Sequence, residues 1–427
     1  MALRATEVFV PGSYPEYTYI VREGEGLETA LHDALNTPGQ IVSLSGPSKS
    51  GKTVLVERVV GQDSLITITG ASLRSANAVW NYALDWMDVP NTTSRGQRFA
   101  GKLGVEAGGK GSVGIPFVAK GEVSGSVTGE LDAERSTEAV SERRGLAQVV
   151  HEIAGSDFVI LIDDFHYMER SVQHEVAKSL KEAVRLGVHI VTAAVSHRGD
   201  DVVRANPELR GRVRAIDFKY WKPEQLRQIA LQGFAALNIL FDDRAIEGFI
   251  NESAGSPQLM QLLCLQACFV LDLRECIETP PLPKQIGVSR EQMQRILEQT
   301  SSSTDFRSLV DILDSGPRTR GTERKTYKFP DLTEGDVYRV VLRAIADDPP
   351  LLSYPYEELL RRTAKICVGE SPVGSSVTGT CQQMSKLAQE KFPNERAIDW
   401  DETKQVLDIP DPYLLFYLRW SGRLKEQ

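Results

Sequence analysis

Over its first half, the chain alternates short apolar runs with amphipathic stretches. These runs cover 41–45, 65–70, 158–164 and 188–196. Runs of this length, rich in β-branched residues, are typical of strands buried on both faces of a parallel sheet. Between them, apolar residues recur every three or four positions, which predicts helices at 54–60, 75–87, 133–154 and 172–187. Because strands and helices alternate, an α/β fold with a parallel sheet is expected over 41–220.

Residues 99–130 break this alternation. The segment is Gly-rich, and much of it alternates small or apolar residues with polar ones. That period of two is typical of a β-hairpin or small meander. We therefore predict a Gly-rich β-hairpin insertion within a core domain at 1–220. A contact with a partner or trigger ligand and a plain surface hairpin are both open as its role.

Beyond residue 220 the pattern becomes mostly helical. Three helical stretches between 223 and 273 predict a small helical lid, assigned to 221–300. A polar segment at 301–331 is predicted to be a linker. The last domain, 332–427, has three helical patterns and then two short segments. The helical patterns cover 336–346, 355–367 and 375–391. The segments AIDWDETKQVLDI and YLLFYLRW predict two strands, or a strand and a helix, and three helices before a hairpin is the outline of a winged helix.

The strongest chemical signal is GPSKSGKT at 46–53, between the first predicted strand and the next helix. It matches G-x-x-x-x-G-K-[ST] in the context that a phosphate-binding loop requires. Backbone amides and a helix N-terminus in such a loop attract an anion. We expect Lys52 to reach the β- and γ-phosphates and Thr53 to ligate Mg²⁺. The predicted nucleotide-binding residues are Gly46, Pro47, Ser48, Lys49, Ser50, Gly51, Lys52, Thr53 and Val54.

A second signal is FVILIDDFH, an apolar strand that ends in two carboxylates. Asp163 is expected to orient Mg²⁺, and Asp164 to polarise the water that attacks the γ-phosphate. P-loop ATPases often carry Glu at the second position. Asp is one methylene shorter, which predicts slow hydrolysis. The sequence contains no N-K-x-D tetrad for reading guanine, so ATP rather than GTP is expected.

Two further segments are candidates for completing this site. The strand at 188–196 runs into Ser196, His197 and Arg198, which are candidates for a γ-phosphate sensor. Three arginines follow this segment: Arg210, Arg212 and Arg214. We predict that Arg212 is an arginine finger that reaches the nucleotide of a neighbouring subunit. A solvated basic face is the alternative.

The sequence Gly255-Ser256-Pro257 opens a helix in the predicted lid. Proline is favourable in a first helical turn. We expect this helix N-terminus to face the nucleotide, with a simple helix start as the alternative.

Together, GPSKSGKT, FVILIDDFH, the SHR strand end and the late AGSP resemble the P-loop ATPases of the STAND and origin-recognition (Cdc6-like) AAA+ groups. The resemblance covers roughly 15–275 by motif and 332–420 by outline. It implies an ASCE/AAA+-like core, a helical lid and a winged helix. It also implies ATP-controlled opening of the lid and winged helix, and homo-oligomerisation across the nucleotide.

The same resemblance suggests roles for single residues. Arg198 or Arg212 would sense the γ-phosphate or complete the site, and Pro257 would contact the base or sugar side of the nucleotide. Tyr19, Ile20 and Arg22 match the adenine-side segment. Switch ATPases of this outline often act in prokaryotic signalling or anti-phage defence, which here implies a separate effector protein.

DNA binding through the winged helix is left open. Polar side chains of its third helix are candidates for a DNA groove, and cations of the linker are candidates for phosphates. They are Ser375, Ser376, Thr378, Gln382, Gln383 and Lys386, and Arg318, Arg320, Arg324, Lys325 and Lys328. Asp399, Asp401 and Glu402 in the wing carry the opposite charge to that which a phosphate contact needs. Two functions therefore compete with the ATP switch: a DNA-binding ATPase of the replication-initiator or transposition-regulator type, and a non-hydrolysing nucleotide-bound scaffold.

Composition narrows these alternatives. The 427 residues suit two to three domains. A net charge of −9 excludes a protein that binds nucleic acid through a basic charge spread over its whole surface. The longest apolar runs are about eight residues, short of the roughly 20 that span a bilayer, so no membrane partner is expected. Among five cysteines, Cys264 and Cys268 are expected to be core residues rather than a zinc half-site. A reducing cytoplasm suits this cysteine usage.

Overall fold

The computed structural model describes residues 2–89, 92–94, 140–142, 145–195, 201–277, 283–318, 321, 324–392 and 397–424. The strands of these parts are β1 (Ile41–Ser45), β2 (Leu65–Thr69), β3 (Thr92–Ser94), β4 (Val140–Glu142), β5 (Val159–Asp163), β6 (His189–Ala194), β7 (Val213–Asp217), β8 (Ile239–Phe241), β9 (Lys284–Ile286), β10 (Tyr327–Lys328), β11 (Glu334–Gly335), β12 (Ser353–Pro355), β13 (Asp399–Asp401) and β14 (Val406–Asp408). The helices are α1 (Ala5–Val8), α2 (Leu27–Leu35), α3 (Lys52–Val60), α4 (Ala76–Trp86), α5 (Leu146–Ile153), α6 (Arg170–Arg185), α7 (Asp201–Ala205), α8 (Pro223–Ala236), α9 (Asp243–Glu252), α10 (Pro257–Val270), α11 (Arg290–Ser302), α12 (Arg307–Ser315), α13 (Val337–Ala346), α14 (Tyr356–Ile366), α15 (Gly374–Lys391) and α16 (Pro412–Trp420).

A five-stranded parallel sheet with the order β2-β5-β6-β1-β7 lies at the centre of the first domain. The four strands predicted from the apolar runs are confirmed as β1, β2, β5 and β6. They are mostly apolar because helices cover both faces of the sheet, and the exposed Thr67 and Thr69 lie in β2 at the sheet edge. One face packs on the cluster that includes Trp80 and Leu180, and the other on the cluster that includes Leu31 and Leu55. In register, Ser45 of β1 lies beside Ala194 of β6, so the carboxyl ends of these strands meet at one edge.

The strand order fixes the fold class. Strand β6 lies between β1, which precedes the GPSKSGKT loop, and β5, which ends in the paired aspartates. A parallel sheet in this order, with a phosphate-loop sequence after its first strand, is a P-loop NTPase fold of the predicted α/β class.

The helix predicted at 133–154 is shorter than expected. Only α5 is helical in its described part, and Val140–Glu142 forms strand β4, which pairs antiparallel with β3. The prediction is therefore wrong at 140–142, where the chain satisfies its backbone by pairing across to residues 92–94. The predicted hairpin insertion at 99–130 lies outside the described residues.

A second core combines the lid with the N-terminus. Helices α8, α9 and α10 confirm the three predicted lid helices, and α11 packs on α10. Phe9 joins this core edge-on to Phe234, with 5.0 Å between ring centroids. The described part of the predicted lid also contains two short strands that the helical pattern did not predict, since β8 and β9 pair in parallel.

The C-terminal core begins earlier than predicted. Helix α12 lies within the predicted linker at 301–331, and its Leu309, Val310 and Leu313 are buried in the C-terminal cluster. That part of the linker prediction is wrong, because a helical apolar spacing sits inside a polar segment. Helices α13, α14 and α15 follow as expected. AIDWDETKQVLDI forms the hairpin β13–β14, YLLFYLRW forms α16, and β12 completes a sheet of order β12-β14-β13.

Cys264 and Cys268 are buried in the lid core, as predicted. Burial raises the pKa of the Cys268 thiol to about 12. Within the described ranges, no set of three His, Cys, Asp or Glu side chains is grouped to hold a metal ion. None of the described helices has both the length and the apolar character needed to cross a bilayer.

Candidate functional site

The loop at 46–53 leaves β1 and enters α3 at the carboxyl edge of the sheet, with the N-terminus of α3 at Lys52. Gly46 has φ 154° and Gly51 has φ 93°. A Cβ at Gly46 would lie 2.4 Å from the Cβ of Phe218. Glycine is therefore required at position 46 for both the backbone conformation and the close approach of Phe218, the residue that follows β7.

Lys52 lies across this loop. Its Nζ donates to the carbonyls of Gly46, at 3.0 Å, and Pro47, at 2.7 Å. Burial lowers the pKa of this ammonium to about 8, against the attraction of Asp163 and Asp164. Among the described residues, the hydrogen-bond acceptors of this buried cation are these two carbonyls, which phosphate oxygens could replace.

Asp163 ends β5 and meets the start of α3. The Thr53 hydroxyl donates to its Oδ2 at 2.7 Å, and the Asp164 backbone N–H donates to its Oδ1 at 2.9 Å. Mg²⁺ prefers hydroxyl and carboxylate oxygens and usually takes its other ligands from waters and substrate phosphates. Thr53 and Asp163 therefore fit the predicted metal site. Two protein ligands do not fill the coordination sphere of Mg²⁺, so waters and phosphate oxygens would supply the others.

Asp164 has a left-handed backbone, with φ 54°. Asp and Asn adopt this conformation more readily than other non-glycine residues, which gives a backbone reason for Asp where Glu is usual. Gly70 makes room for it, since a Cβ there would lie 2.5 Å from the Asp164 carbonyl oxygen. Burial and the charge of Asp163 raise the pKa of Asp164 to about 6, while Lys52 opposes the shift.

These groups open into a cavity of about 710 Å³. Its walls come from the N-terminal segment, the phosphate loop, the start of α10 and the C-terminal hairpin. The volume suits a ligand of nucleotide size, within the range of a few hundred to 1,000 Å³ or so that ligand pockets occupy. Every predicted loop residue from Ser48 to Val54 is on this wall.

The N-terminal wall contains Tyr19, Ile20 and Arg22, the residues that the resemblance places on the adenine side. The Arg22 guanidinium lies over the rings of Phe218, at 4.9 Å, and Trp221, at 5.4 Å. Its Nη1 donates to the Lys219 carbonyl, and burial lowers its pKa. Its Nη2 is buried without a hydrogen-bond partner among the described residues.

The lid contributes the start of α10. Pro257 is its first residue and lines the cavity, and Ser256 caps the helix by accepting from the Leu259 backbone N–H at 3.2 Å. The predicted helix start is confirmed. Its role toward a nucleotide stays a prediction.

Arg212 lies far from the phosphate loop of its own chain. It precedes β7, and its carbonyl accepts from the Ile41 backbone N–H at 2.8 Å, level with the start of β1. The loop follows the other end of β1, roughly 17 Å away at the usual rise per strand residue. Arg212 is exposed and distant from the loop of its own chain, so the predicted arginine-finger role would have to be played toward a neighbouring molecule. Ser196, His197 and Arg198 lie outside the described residues.

The C-terminal domain also contacts the phosphate loop, and sequence patterns did not predict this contact. Lys49 Nζ pairs with Asp411 Oδ2 at 2.9 Å and lies 4.0 Å from the centre of the Tyr413 ring. Asp411 also caps α16 by accepting from the Tyr413 backbone N–H. Asp399 of β13 lines the same cavity. These residues are distant from the loop in sequence, and no local pattern marks the pairing.

Comparisons with known proteins give remote likenesses. No protein-family model matches the sequence, and no curated protein matches it. Among solved structures, the chain is similar to Cdc6p from Pyrobaculum aerophilum, with 14% identity, a TM-score of 0.44 and coverage of 100% of this chain and 99% of that one. It is also similar to the ORC2 protein of Aeropyrum pernix, with 12% identity, a TM-score of 0.49 and coverage of 99% and 98%.

A Walker-type ATPase of Pyrococcus abyssi is similar at 14% identity, with a TM-score of 0.49 and coverage of 94% of this chain and 96% of that one. The fold class of this chain rests on its own strand order and loop geometry. It has a P-loop NTPase core whose phosphate loop contacts Trp221, just before α8, and Asp411 of the C-terminal domain.

Proposed function

We propose that the protein is an ATP-binding and slowly hydrolysing switch of the AAA+ type, in which nucleotide controls the position of the C-terminal domain. The observation that carries the proposal is the ion pair between Lys49 and Asp411. Lys49 belongs to the loop that would hold the phosphates, and Asp411 belongs to the C-terminal domain. A ligand at the loop therefore competes directly with an interdomain contact.

Electrostatics gives this competition a direction. The triphosphate of ATP is strongly anionic, and the carboxylates of Asp399 and Asp411 lie on the wall of the same cavity. The side chains of Lys49 and Asp411 are 29% and 24% exposed, so their pair is partly solvated and contributes modestly to stability. Bound phosphates would replace Asp411 as the partner of Lys49 and would repel the acidic hairpin. Both effects favour movement of the C-terminal domain away from the loop.

The residues at the loop have separate roles in turnover. Lys52 would bind the phosphates, and Asp164 would accept a hydrogen bond from the attacking water and orient it. Thr53 and Asp163 would hold Mg²⁺, which supplies neutralisation of the charge that develops on the phosphates. Asp164 is short and held in a left-handed backbone, which supports slow rather than fast hydrolysis.

Three finer parts of the proposal rest on the sequence motifs: homo-oligomerisation, a separate effector in signalling or defence, and a winged helix at the C-terminus. The helix–strand–helix–helix–hairpin order of 337–408 supports the last of these. The exposure of Arg212 is compatible with a role toward a neighbouring subunit.

Binding measurements with two variants test the proposal. Lys52→Ala should abolish ATP binding, and Asp411→Asn should tighten it several-fold because the phosphates no longer displace a carboxylate from Lys49. Asp272→Asn, a change of the same chemistry on an exposed residue, is the control. Retained ATP binding in Lys52→Ala, or weaker binding in Asp411→Asn, would contradict the proposal.

DNA binding through the C-terminal domain has less support. Gln382 of α15 donates to Glu402 of the hairpin, and Ser385 of the same helix bonds Asp399. The face of α15 that carries these residues therefore packs on acidic side chains, and Asp399 also faces the nucleotide cavity. Turnover that rises only with duplex DNA would reverse this preference. Assembly that is unchanged in Asp164→Asn, with no ATP turnover in the native protein, would favour the non-hydrolysing scaffold.

A further inference from the structure

Strand β7 lies at one edge of the central sheet, where it pairs with β1 in an unbroken parallel register. The Arg212 carbonyl accepts from the Ile41 backbone N–H, and the Phe218 backbone N–H donates to the Ser45 carbonyl. Backbone groups alternate in direction along a strand. The even-numbered residues of β7 therefore direct their N–H and carbonyl groups toward β1, and the odd-numbered ones direct theirs away from the sheet.

The outward-facing backbone groups of Val213 and Ala215 are available for pairing. Neither their N–H groups nor their carbonyls have a backbone partner among the described residues. Ala215 is exposed, so this side of the strand is open to solvent. The strand contains neither a proline nor a bulge, two features that often protect a sheet edge. An extended segment of another protein can therefore pair with β7 as an additional strand.

The charge along this edge selects the kind of segment that fits. Arg210, Arg212 and Arg214 are exposed, and their side chains form no ion pair with a described residue. Arg212 and Arg214 are two residues apart, so they project from the same face of the extended chain. Like charges on neighbouring strands repel and opposite charges attract. Two copies of β7 would therefore repel each other, whereas a strand with carboxylates opposite the arginines would be attracted.

We propose that the β7 edge docks an acidic, extended segment of a partner protein by strand addition. The backbone groups of Val213 and Ala215 would supply hydrogen bonds, and Arg210 and Arg214 would select carboxylates. Asp217 ends the strand with the opposite charge, so the acidic residues of the partner are expected opposite the first half of β7.

This docking surface is separate from the nucleotide cavity. The arginines lie at the start of β7, level with the start of β1, whereas the phosphate loop follows the other end of β1. None of the residues 210–217 is on the wall of the cavity. ATP binding by variants of Arg210 and Arg214 should therefore equal that of the native protein, and the inference stands or falls independently of the proposed function.

The charge selection is tested by fluorescence anisotropy with two labelled peptides, one of alternating glutamate and valine and one with lysine in place of glutamate. The native protein should bind the glutamate peptide and not the lysine peptide. Arg210→Glu combined with Arg214→Glu should weaken this binding roughly tenfold or more. Arg295→Glu, the same change at an exposed position of α11, is the control and should bind normally. Equal binding of the two peptides, or no binding of the glutamate peptide, would overturn the inference.

A backbone variant separates strand addition from charge attraction alone. Ala215→Pro removes an outward N–H but no bond to β1, and proline is tolerated at such edge positions. It should abolish binding of the glutamate peptide, whereas Ala215→Val keeps the N–H and should bind as the native protein does. Native affinity in Ala215→Pro would contradict strand addition.

Hydrogen exchange of the native protein gives a second measurement that does not depend on how a variant folds. The Val213 and Ala215 amides should exchange more slowly when the glutamate peptide is bound, because strand addition uses both N–H groups. Unchanged exchange of these amides at saturating peptide would contradict the proposal. So would a duplex oligonucleotide that displaces the peptide and binds more tightly than it does, since the arginines would then serve nucleic acid.

Discussion

The indole N–H of Trp221 donates to the Ser50 carbonyl in the phosphate loop, at 2.9 Å. The backbone N–H of the same tryptophan donates to the Gly255 carbonyl at 3.2 Å, just before lid helix α10. A Cβ on Gly51 would also touch its ring, at 4.0 Å. The side chain of Trp221 therefore holds the phosphate loop, and its backbone N–H connects this contact to the start of the lid helix α10.

Trp221→Phe should weaken ATP binding. The substitution removes the hydrogen bond to Ser50 but keeps an aromatic ring near Arg22. A hydrogen bond of this kind contributes about 1 kcal/mol, so roughly a fivefold loss of affinity is expected, with little change in thermal stability. Trp86→Phe, at a 44% exposed tryptophan, is the matched control. Native affinity in Trp221→Phe would show that the loop holds its shape without the indole.

Asp164→Asn should slow turnover strongly while leaving ATP binding in place. Asn suits the left-handed backbone at this position as well as Asp does, so the loop geometry should be kept. Loss of the carboxylate that orients water should lower the turnover rate by about 100-fold or more. Single-turnover measurements with ATP check this, and a rate within a factor of two or so of native would assign the role to another residue.

The same variant should be more stable than the native protein at pH 8. Burial raises the pKa of Asp164 from 3.8 to about 6. A folded pKa above the unfolded one means that the native state holds more protons between pH 4 and 6, so its stability falls as pH rises through this window. Asn has no carboxyl group to ionise, so the variant does not lose stability over this pH range for this reason. Urea unfolding at pH 8 and pH 4 should show the advantage of Asp164→Asn only at pH 8, and an advantage of equal size at both would contradict the burial of a charge.

ATP binding should take up protons near pH 8. Burial lowers the pKa of Lys52 from 10.5 to about 8, so part of the population is neutral there when the site is free of phosphate. Phosphates restore the ammonium, and about half a proton should be taken up per ATP at pH 8 and almost none at pH 6.5. Calorimetry in buffers of different ionisation enthalpy measures this number. Proton release, or no dependence on buffer at pH 8, would contradict it.

Arg419→Met should destabilise the junction between lid and C-terminal domain. Arg419 makes a bidentate pair with Glu252 at 2.8 and 2.9 Å, and both side chains are nearly buried. Trp420 also donates to Glu252, which would stay buried after the substitution. Leaving one charge of a buried pair costs about 3 kcal/mol or more. Denaturant unfolding checks this, with Arg361→Met, in a surface pair with Glu358, as the control that should change little.

Local pattern was enough to predict most elements of the core. The strands at 41–45 and 158–164 are mostly apolar because helices cover both faces of the sheet, and this leaves a clear signal in the sequence. The phosphate loop was equally clear because GPSKSGKT needs its glycines at fixed places. Helix α12 was missed because Leu309, Val310 and Leu313 are embedded in polar sequence.

The contacts that define the site beyond the loop come from distant parts of the chain. Asp411, Trp221 and Gln261 act through residues far away in sequence, and none of them stands in a motif. Asp, Trp and Gln are also common on protein surfaces or in cores, so the residue type alone does not mark a site. A single sequence contains no record of such pairings, so only the folded structure places them at the cavity.

Hydrogen exchange of 397–411 with and without Mg²⁺-ATP tests the coupling between nucleotide and C-terminal domain most directly. If phosphates take Lys49 from Asp411, these amides should exchange faster in the ATP complex than in the free protein, and Lys52→Ala should show no change. Exchange that is unaltered or slower at saturating ATP, with binding confirmed in the same sample, would contradict a switch that works by releasing this domain.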